Sequence, residues 1–315
     1  MNIVFLDRKT IGKVPNLGKL KVFGEVTFHE MTGPKQTAER IKDADIVITN
    51  KVVLDEGLIK KAKKLKLICV AATGMNNIDL EAAEGQGIPV KNVAGYASES
   101  VAQGTFAMIM HLMYNLSYYD QFVKGGEYSK SEIFTNLERN YRQFSTMRFG
   151  IIGLGNIGGQ VAKIAEAFGA EVVYFSTSGK NTDRPYLRLE LDEFLETSDI
   201  VSIHAPLNGN TRNLLTYEEL KLMKPSAFLV NTGRGGIVNE NDLARALDDD
   251  LIAGAAIDVF ENEPLAAGHP FLHVKNTEKL LLTPHMAWAS EEARTALVDG
   301  ISRNIENYLS GRDRD

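Results

Sequence analysis

Short apolar runs recur along this chain, and the segments between them change period in a regular way. Residues 3–6, 46–49 and 67–71 are brief runs rich in Ile, Val and Leu, and stretches at 39–43 and 56–64 fit helices between them. That alternation predicts parallel strands joined by helical crossovers. The third run opens into a small-residue loop, Ala72-Thr73-Gly74-Met75-Asn76-Asn77. Ser100 and Gln103 then have capping-box spacing, and Val101, Thr105, Met108 and Leu112 follow at helical intervals, which predicts a long helix. Residues 125–146 are polar and irregular and read as a loop or an arm. A second strand–helix series starts at Phe149 and continues to His285. Residues 290–310 read as one amphipathic helix, with Ala293, Leu297, Ile301, Ile305 and Leu309 in one stripe and Gly311 suited to its stop. Two doubly wound domains are the expected result. The last helix is expected to return and pack on the first of them, although the pattern alone does not show it.

The second series has a further regularity. Its apolar runs end in side chains that can react or bind: Val201-Ser202-Ile203-His204, Leu229-Val230-Asn231-Thr232-Gly233-Arg234, Ala256-Ile257-Asp258 and Leu282-Thr283-Pro284-His285. Ligands of open parallel sheets sit beyond the carboxyl ends of the strands, so these groups predict one shared site. Another run, Phe149-Gly150-Ile151-Ile152, leads into Gly153-Leu154-Gly155-Asn156-Ile157-Gly158, with a helix expected over 160–168. A lone Gly-x-Gly-x-x-Gly is a weak signal, but one between a strand and a helix reads as a dinucleotide-binding turn. The N–H groups near Asn156 and Ile157 would then face a pyrophosphate at the helix N-terminus.

Composition narrows the partners. At 315 residues the chain is long enough for two domains, and 44% hydrophobic with 24% charged residues is ordinary for a globular protein. A net charge of −6 argues against nucleic acid or an anionic membrane as the main partner. No apolar run approaches the roughly 18 residues that span a bilayer. The opening Met1-Asn2-Ile3-Val4-Phe5 reads as a strand and not as a signal peptide. Cys69, the single cysteine, lies in an apolar run. It reads as a buried structural thiol, excludes an intrachain disulfide or a thiolate metal cluster, and makes the cytoplasm the expected compartment.

The strand at 171–175 should end in Asp or Glu if the cofactor ribose carries a free 2′-hydroxyl. It ends instead in Ser176-Thr177-Ser178-Gly179-Lys180. Hydroxyls and Lys180 could accept a 2′-phosphate, so NAD and NADP both remain open. Asp183 lies well past the strand end for a substitute acid.

Taken in order, the glycine turn, His204-Ala205-Pro206-Leu207, Asn231-Thr232-Gly233-Arg234-Gly235-Gly236, Asp258-Val259-Phe260-Glu261-Asn262-Glu263-Pro264 and Thr283-Pro284-His285 resemble the D-isomer specific 2-hydroxyacid dehydrogenase family. The loop around Thr73-Gly74-Met75 is most similar to its glycerate dehydrogenase and hydroxypyruvate reductase branch. The resemblance implies a Rossmann cofactor domain, residues 99–286, inserted in a flavodoxin-like substrate domain, residues 1–98 plus 287–315. It implies hydride transfer between NAD or NADP and a small 2-oxo or 2-hydroxy acid, hydroxypyruvate or glyoxylate first among them, in a homodimer. Arg234 would bind the substrate carboxylate and carbonyl oxygen. His285 would be the general acid in reduction, and Glu263 would hold it and favour its protonated form. Thr73, Gly74, Met75 and Trp288 would line the substrate. Ser176, Thr177, Lys180, His204, Ala205, Pro206, Thr232, Gly233, Asp258 and His285 would line the cofactor with the glycine turn, Asp258 at the nicotinamide carboxamide. No metal is called for. Two rivals stand beside this reading. One is a D-lactate or phosphoglycerate dehydrogenase, the latter wanting basic groups near Gly74 that only Lys51 could supply. The other is a non-catalytic NAD(H)-sensing protein on the same fold.

Overall fold

The computed structural model describes residues 1–180 and 184–312. The chain divides into two compact units, one formed by Met1–Ala97 with the segment from Ala289 onward, the other by Ser98–Trp288.

In the first unit, β1 (Asn2–Phe5), β2 (Glu25–Phe28), β3 (Ile46–Thr49), β4 (Leu67–Val70) and β5 (Val90–Lys91) form a parallel sheet in the order β2-β1-β3-β4-β5. This is the flavodoxin-like order. Strands β3 and β4 are buried along their whole length, which is why their sequences are continuous apolar runs without alternation. β2 alternates exposed and half-buried positions at the sheet edge, and β5 has two residues; neither carries a pattern strong enough to read from sequence. The helices between the strands are α1 (Pro34–Ile41), α2 (Glu56–Lys61) and α3 (Leu80–Gly85). The first starts five residues before the expected 39. Pro34 presets its first turn, and the Gln36 side chain accepts the Gly33 N–H at 3.0 Å. Asp55 and Asp79 cap the other two by accepting from Leu58 and Ala82. At the end of β1 the buried Asp7 carboxylate gathers the N–H groups of Asn50, Lys51 and Val52. Burial pushes its pKa up against these bonds, which act to lower it.

The second unit runs through α4 (Ser98–Met113), α5 (Leu116–Lys124), β6 (Arg148–Ile152), α6 (Asn156–Ala167), β7 (Glu171–Phe175), β8 (Leu187–Arg188), α7 (Leu191–Thr197), β9 (Ile200–Ile203), α8 (Tyr217–Leu222), β10 (Phe228–Asn231), α9 (Glu240–Asp248), β11 (Gly254–Ile257) and β12 (Leu280–Leu282). Its seven parallel strands are ordered β12-β11-β10-β9-β6-β7-β8. The chain builds outward from β6 to β8, then returns to place β9 on the other side of β6. That reversal is the switch point where a crevice opens beyond the strand ends. Alternate residues feed two apolar layers: Ile152, Val173 and Val201 enter one, Ile151, Tyr174 and Ile200 the other.

One expectation fails at α4. Its first residue is Ser98, so Ser100 lies inside the first turn and is no N-cap. Its hydroxyl donates instead to the Ala287 carbonyl at 2.7 Å. The last helix, α10 (Glu291–Leu309), is capped by Ser290, whose hydroxyl accepts the Ala293 N–H at 3.1 Å. Its stripe is buried at Ala293, Leu297, Ile301 and Ile305, while Leu309 is exposed. It packs within the first unit, where Gly300 lies against Val93 and Asn304 donates to the Asn92 carbonyl at 2.9 Å.

Candidate active site

The turn after β6 is shaped by what its glycines leave out. Gly153 has φ +90°, and a Cβ there would lie 2.8 Å from the Ala205 backbone. The glycine turn and the turn after β9 are therefore packed backbone to backbone across the switch point. A Cβ on Gly158 would sit 2.2 Å from the Gly153 carbonyl oxygen, which lets α6 start tight against the strand end. Nothing lies within 4 Å of a Cβ built on Gly155. The helix begins at Asn156, four residues before the expected 160, and Gly155 supplies no side-chain cap. The N–H groups of Asn156 and Ile157 thus open the helix with no intrahelical acceptor, the arrangement that receives a phosphate. Gly153→Ala combines a forbidden φ with a backbone clash, so we expect a loss of about 2–4 kcal/mol of stability together with weakened dinucleotide binding. Denaturant unfolding and an NADH titration of the variant check this.

The neighbouring strand ends continue this edge of the sheet. Ser176, at the end of β7, is buried, and among the described residues its Oγ has no hydrogen-bond partner. A buried orphan hydroxyl is costly unless a ligand satisfies it, and a ribose hydroxyl would do so. Thr177 and Lys180 follow it; the Lys180 N–H donates to the Ser178 hydroxyl at 3.3 Å. Asn181, Thr182 and Asp183 lie outside the described residues. After β9, the His204 imidazole contacts the Ser202 hydroxyl at 2.8 Å and the Thr232 hydroxyl at 3.4 Å. Burial pushes its pKa down to about 3, so it is neutral at pH 7. Ala205 is buried, and the Pro206 carbonyl accepts from the Thr211 hydroxyl at 2.7 Å. Thr232 also meets Thr105 of α4 at 3.0 Å.

Arg234, Glu263 and His285 stand on loops that leave the adjacent strands β10, β11 and β12. The Arg234 loop is held by the buried Asn231, whose Oδ1 accepts the Gly233 N–H at 3.0 Å and whose Nδ2 donates to the Arg234 carbonyl at 2.9 Å. The guanidinium donates once, to the Gly233 carbonyl at 2.7 Å. Among the described residues no carboxylate pairs with it. A part-buried, permanently charged fork of donors without a counterion is prepared for an anionic ligand. Its loop is fitted to that of β11, since a Cβ on Gly235 would overlap the Phe260 backbone at 1.9 Å.

Both carboxylate oxygens of Glu263 reach His285 Nδ1, at 2.9 and 2.8 Å. Glu263 also accepts the Phe260 N–H at 3.1 Å, which fixes its direction. With Nδ1–H committed to Glu263, Nε2 is the ring atom left to exchange a proton. His285 itself has φ +51°. A left-handed conformation in a non-glycine residue costs about 1–2 kcal/mol, and such strain persists where the surroundings over-determine it. Here the Asp258 carbonyl accepts the His285 N–H at 2.7 Å.

Sequence reasoning passed over two supports. Asn231 was legible only as part of a motif, without a role. His269 carries no motif, and its Nε2 lies 2.7 Å from the Glu240 carboxylate in a pair with little exposure. Glu240 also accepts the Glu261 N–H at 2.7 Å, so this pair pins the loop that carries Glu263. No spacing rule links 240 to 269, and only the fold brings them together.

The loop after β4 belongs to the first unit. Thr73 is exposed and donates to the Val93 carbonyl at 3.1 Å, and among the described residues the N–H groups of Gly74 and Met75 meet no acceptor. Trp288 is half-buried at the end of the second unit. Among the described residues, no cluster of His, Cys, Asp or Glu could hold a metal ion, and no helix is long and apolar enough to cross a membrane.

A family model described as "D-isomer specific 2-hydroxyacid dehydrogenase, NAD binding domain" matches residues 106–287. The glycerate dehydrogenase of Methylorubrum extorquens is 35% identical over 311 residues, covering 98% of this chain and 96% of that protein. The hydroxypyruvate reductase of Blautia hydrogenotrophica is 32% identical over 323 residues, with 99% and 98% covered. Among solved structures, the acyclic imino acid reductase Bsp5 in complex with NADPH and D-Arg superimposes with a TM-score of 0.89 at 27% identity, over 99% of this chain and 98% of that one. A match across more than half of the chain, and relatives above 30% identity along nearly all of it, lead to one conclusion: the chain belongs to the D-isomer specific 2-hydroxyacid dehydrogenase family.

Proposed function

We propose that this NAD(P)-dependent oxidoreductase reduces hydroxypyruvate or glyoxylate, giving D-glycerate or glycolate. The observation that carries this reading is the Arg234 guanidinium, unpaired with any carboxylate among the described residues, on the loop leaving the strand beside those that bring Glu263 and His285 together. A 2-oxo acid presents one carboxylate and one adjacent carbonyl, and a fixed fork of donors can hold the first and polarise the second. The reduced nicotinamide, when bound, supplies hydride to the carbonyl carbon. His285 Nε2–H gives its proton to the carbonyl oxygen as charge grows there, and takes it back in the reverse direction. Glu263 keeps the ring oriented through Nδ1.

The N–H groups of Gly74 and Met75 are further carboxylate donors in this reading, and Thr73 and Trp288 its other substrate contacts. The second unit, Ser98–Trp288, carries the cofactor, and the first carries the Gly74 loop. Asn156 and Ile157 receive the pyrophosphate. Ser176, Thr177 and Lys180 meet the adenosine ribose, with no described carboxylate at the strand end to repel a 2′-phosphate. His204, Ala205, Pro206, Thr232 and Gly233 line the rest.

The test is a panel of hydroxypyruvate, glyoxylate, pyruvate and phosphohydroxypyruvate with NADH and with NADPH, followed by loss of reduced-nicotinamide absorbance. Hydroxypyruvate or glyoxylate should be turned over fastest. Cofactor binding with no reduction of any of the four acids would rule the reading out.

We also propose a cytoplasmic homodimer, the compartment resting on the single buried Cys69 and testable by cell fractionation. The second copy would cover an apolar surface that includes Ile133, Phe134 and Leu137, exposed by 60, 88 and 75%, on the arm that follows α5. Apolar groups this exposed in one segment mark an interface. Light scattering should give twice the 34.7 kDa chain mass, and Phe134→Asp with Leu137→Lys should halve it.

A further inference from the structure

We propose that Asp258 is a positioning residue for His285, holding the turn that aims the imidazole, and that this task governs turnover more than any contact of Asp258 with cofactor. The proposal rests on the oxidoreductase reading above. Asp258 is 1% exposed at the end of β11. Its Oδ1 accepts the Thr283 hydroxyl at 2.6 Å and the Met286 N–H at 2.8 Å, and its Oδ2 accepts the Ala287 N–H at 2.9 Å. Its backbone carbonyl takes the His285 N–H at 2.7 Å. One residue therefore binds four donors on the segment Thr283 to Ala287.

The conformation of His285 explains why an anion is needed. A left-handed residue turns the N–H groups that follow it toward a common point, and such a concavity binds negative charge. The Asp258 carboxylate is that charge. A neutral residue of the same shape could accept at Oδ1 but would set an amide donor against the Ala287 N–H. The far side of the turn is also held, since the Ala287 carbonyl accepts from Ser100 and the Ala287 side chain lies against Gly104. The carboxylate has about four lone-pair sites, and three are used here.

Asp258→Asn tests this. With wild-type folding confirmed by thermal unfolding, kcat for the best 2-oxo acid should fall about 10- to 100-fold, the effect of misplacing a catalytic group by about an ångström. KM and the Kd values for NADH and NADPH should stay near wild type. A weakened cofactor Kd with kcat retained at saturation would overturn the proposal in favour of a cofactor contact, and an unchanged kcat would overturn it outright. If Asp258→Asn does not fold, Thr283→Val removes one donor and leaves the charge. It should lower kcat several-fold, with Thr283→Ser restoring it, whereas a wild-type kcat in Thr283→Val refutes the idea. If the wild-type enzyme reduces none of the panel, the functional reading has failed and not this one. The His285 ring resonance, assigned by NMR, then decides: a shift in Asp258→Asn or Thr283→Val supports the tether, and an unchanged resonance rejects it.

Discussion

His285→Ala is expected to lower kcat for 2-oxo acid reduction by about 10²- to 10⁴-fold, the usual contribution of a positioned general acid. KM and the Kd for reduced cofactor should change little. The reason is the division of labour in the site. The imidazole is tied through Nδ1 to Glu263 at 2.8 Å, and in the proposed mechanism it gives the proton from Nε2, so its removal takes away that proton and leaves the Arg234 fork intact. Because His285 sits at φ +51°, an asparagine control is useful. Asparagine tolerates the left-handed region better than alanine does but provides no acid of suitable pKa. His285→Asn should therefore be at least as stable as the alanine variant and equally slow. Turnover within a few-fold of wild type in both variants would remove His285 from the chemistry.

Arg234→Ala should be worse in kcat/KM than in kcat alone. Truncating one partner of a part-buried, charge-assisted pair costs about 2–5 kcal/mol, or roughly 30- to 5,000-fold. Because the guanidinium is proposed to bind the carboxylate in the ground state and the developing oxyanion in the transition state, KM should rise and kcat should fall together. Arg234→Lys separates charge from shape. A lysine keeps the positive charge, but its point-like ammonium cannot donate as a planar fork. It should recover part of KM and little of kcat. A KM effect alone in both variants would mean that Arg234 only binds.

The two variants also show how unevenly the chain could be read beforehand. Arg234, Glu263 and His285 were legible because each follows an apolar strand run or a recognisable motif, and because parallel strands deliver their carboxyl ends to one edge. The buried strands β3 and β4 were legible for a related reason: burial on both faces demands an unbroken apolar run. The edge strand β2 was not, because half of its residues face solvent and its alternation spans only four positions. The start of α4 was misplaced because Ser100 has cap-like spacing, but its hydroxyl is taken by Ala287, 187 positions along the chain.

What the sequence determined by itself was therefore what depends on local period and on residue chemistry. That covers the two strand–helix series, the glycine turn and the identity of the groups at the strand ends. What only the tertiary structure decided was every relation between groups distant in the chain. Glu263 meets the ring of His285, Asp258 gathers the turn around it, and Glu240 with His269 pins the loop between them. Hydrogen bonds act over about 3 Å, and a chain fixes such distances only after its sheet has closed. The residue proposed as proton donor, His285, was therefore visible in the sequence, but its direction was set by the fold.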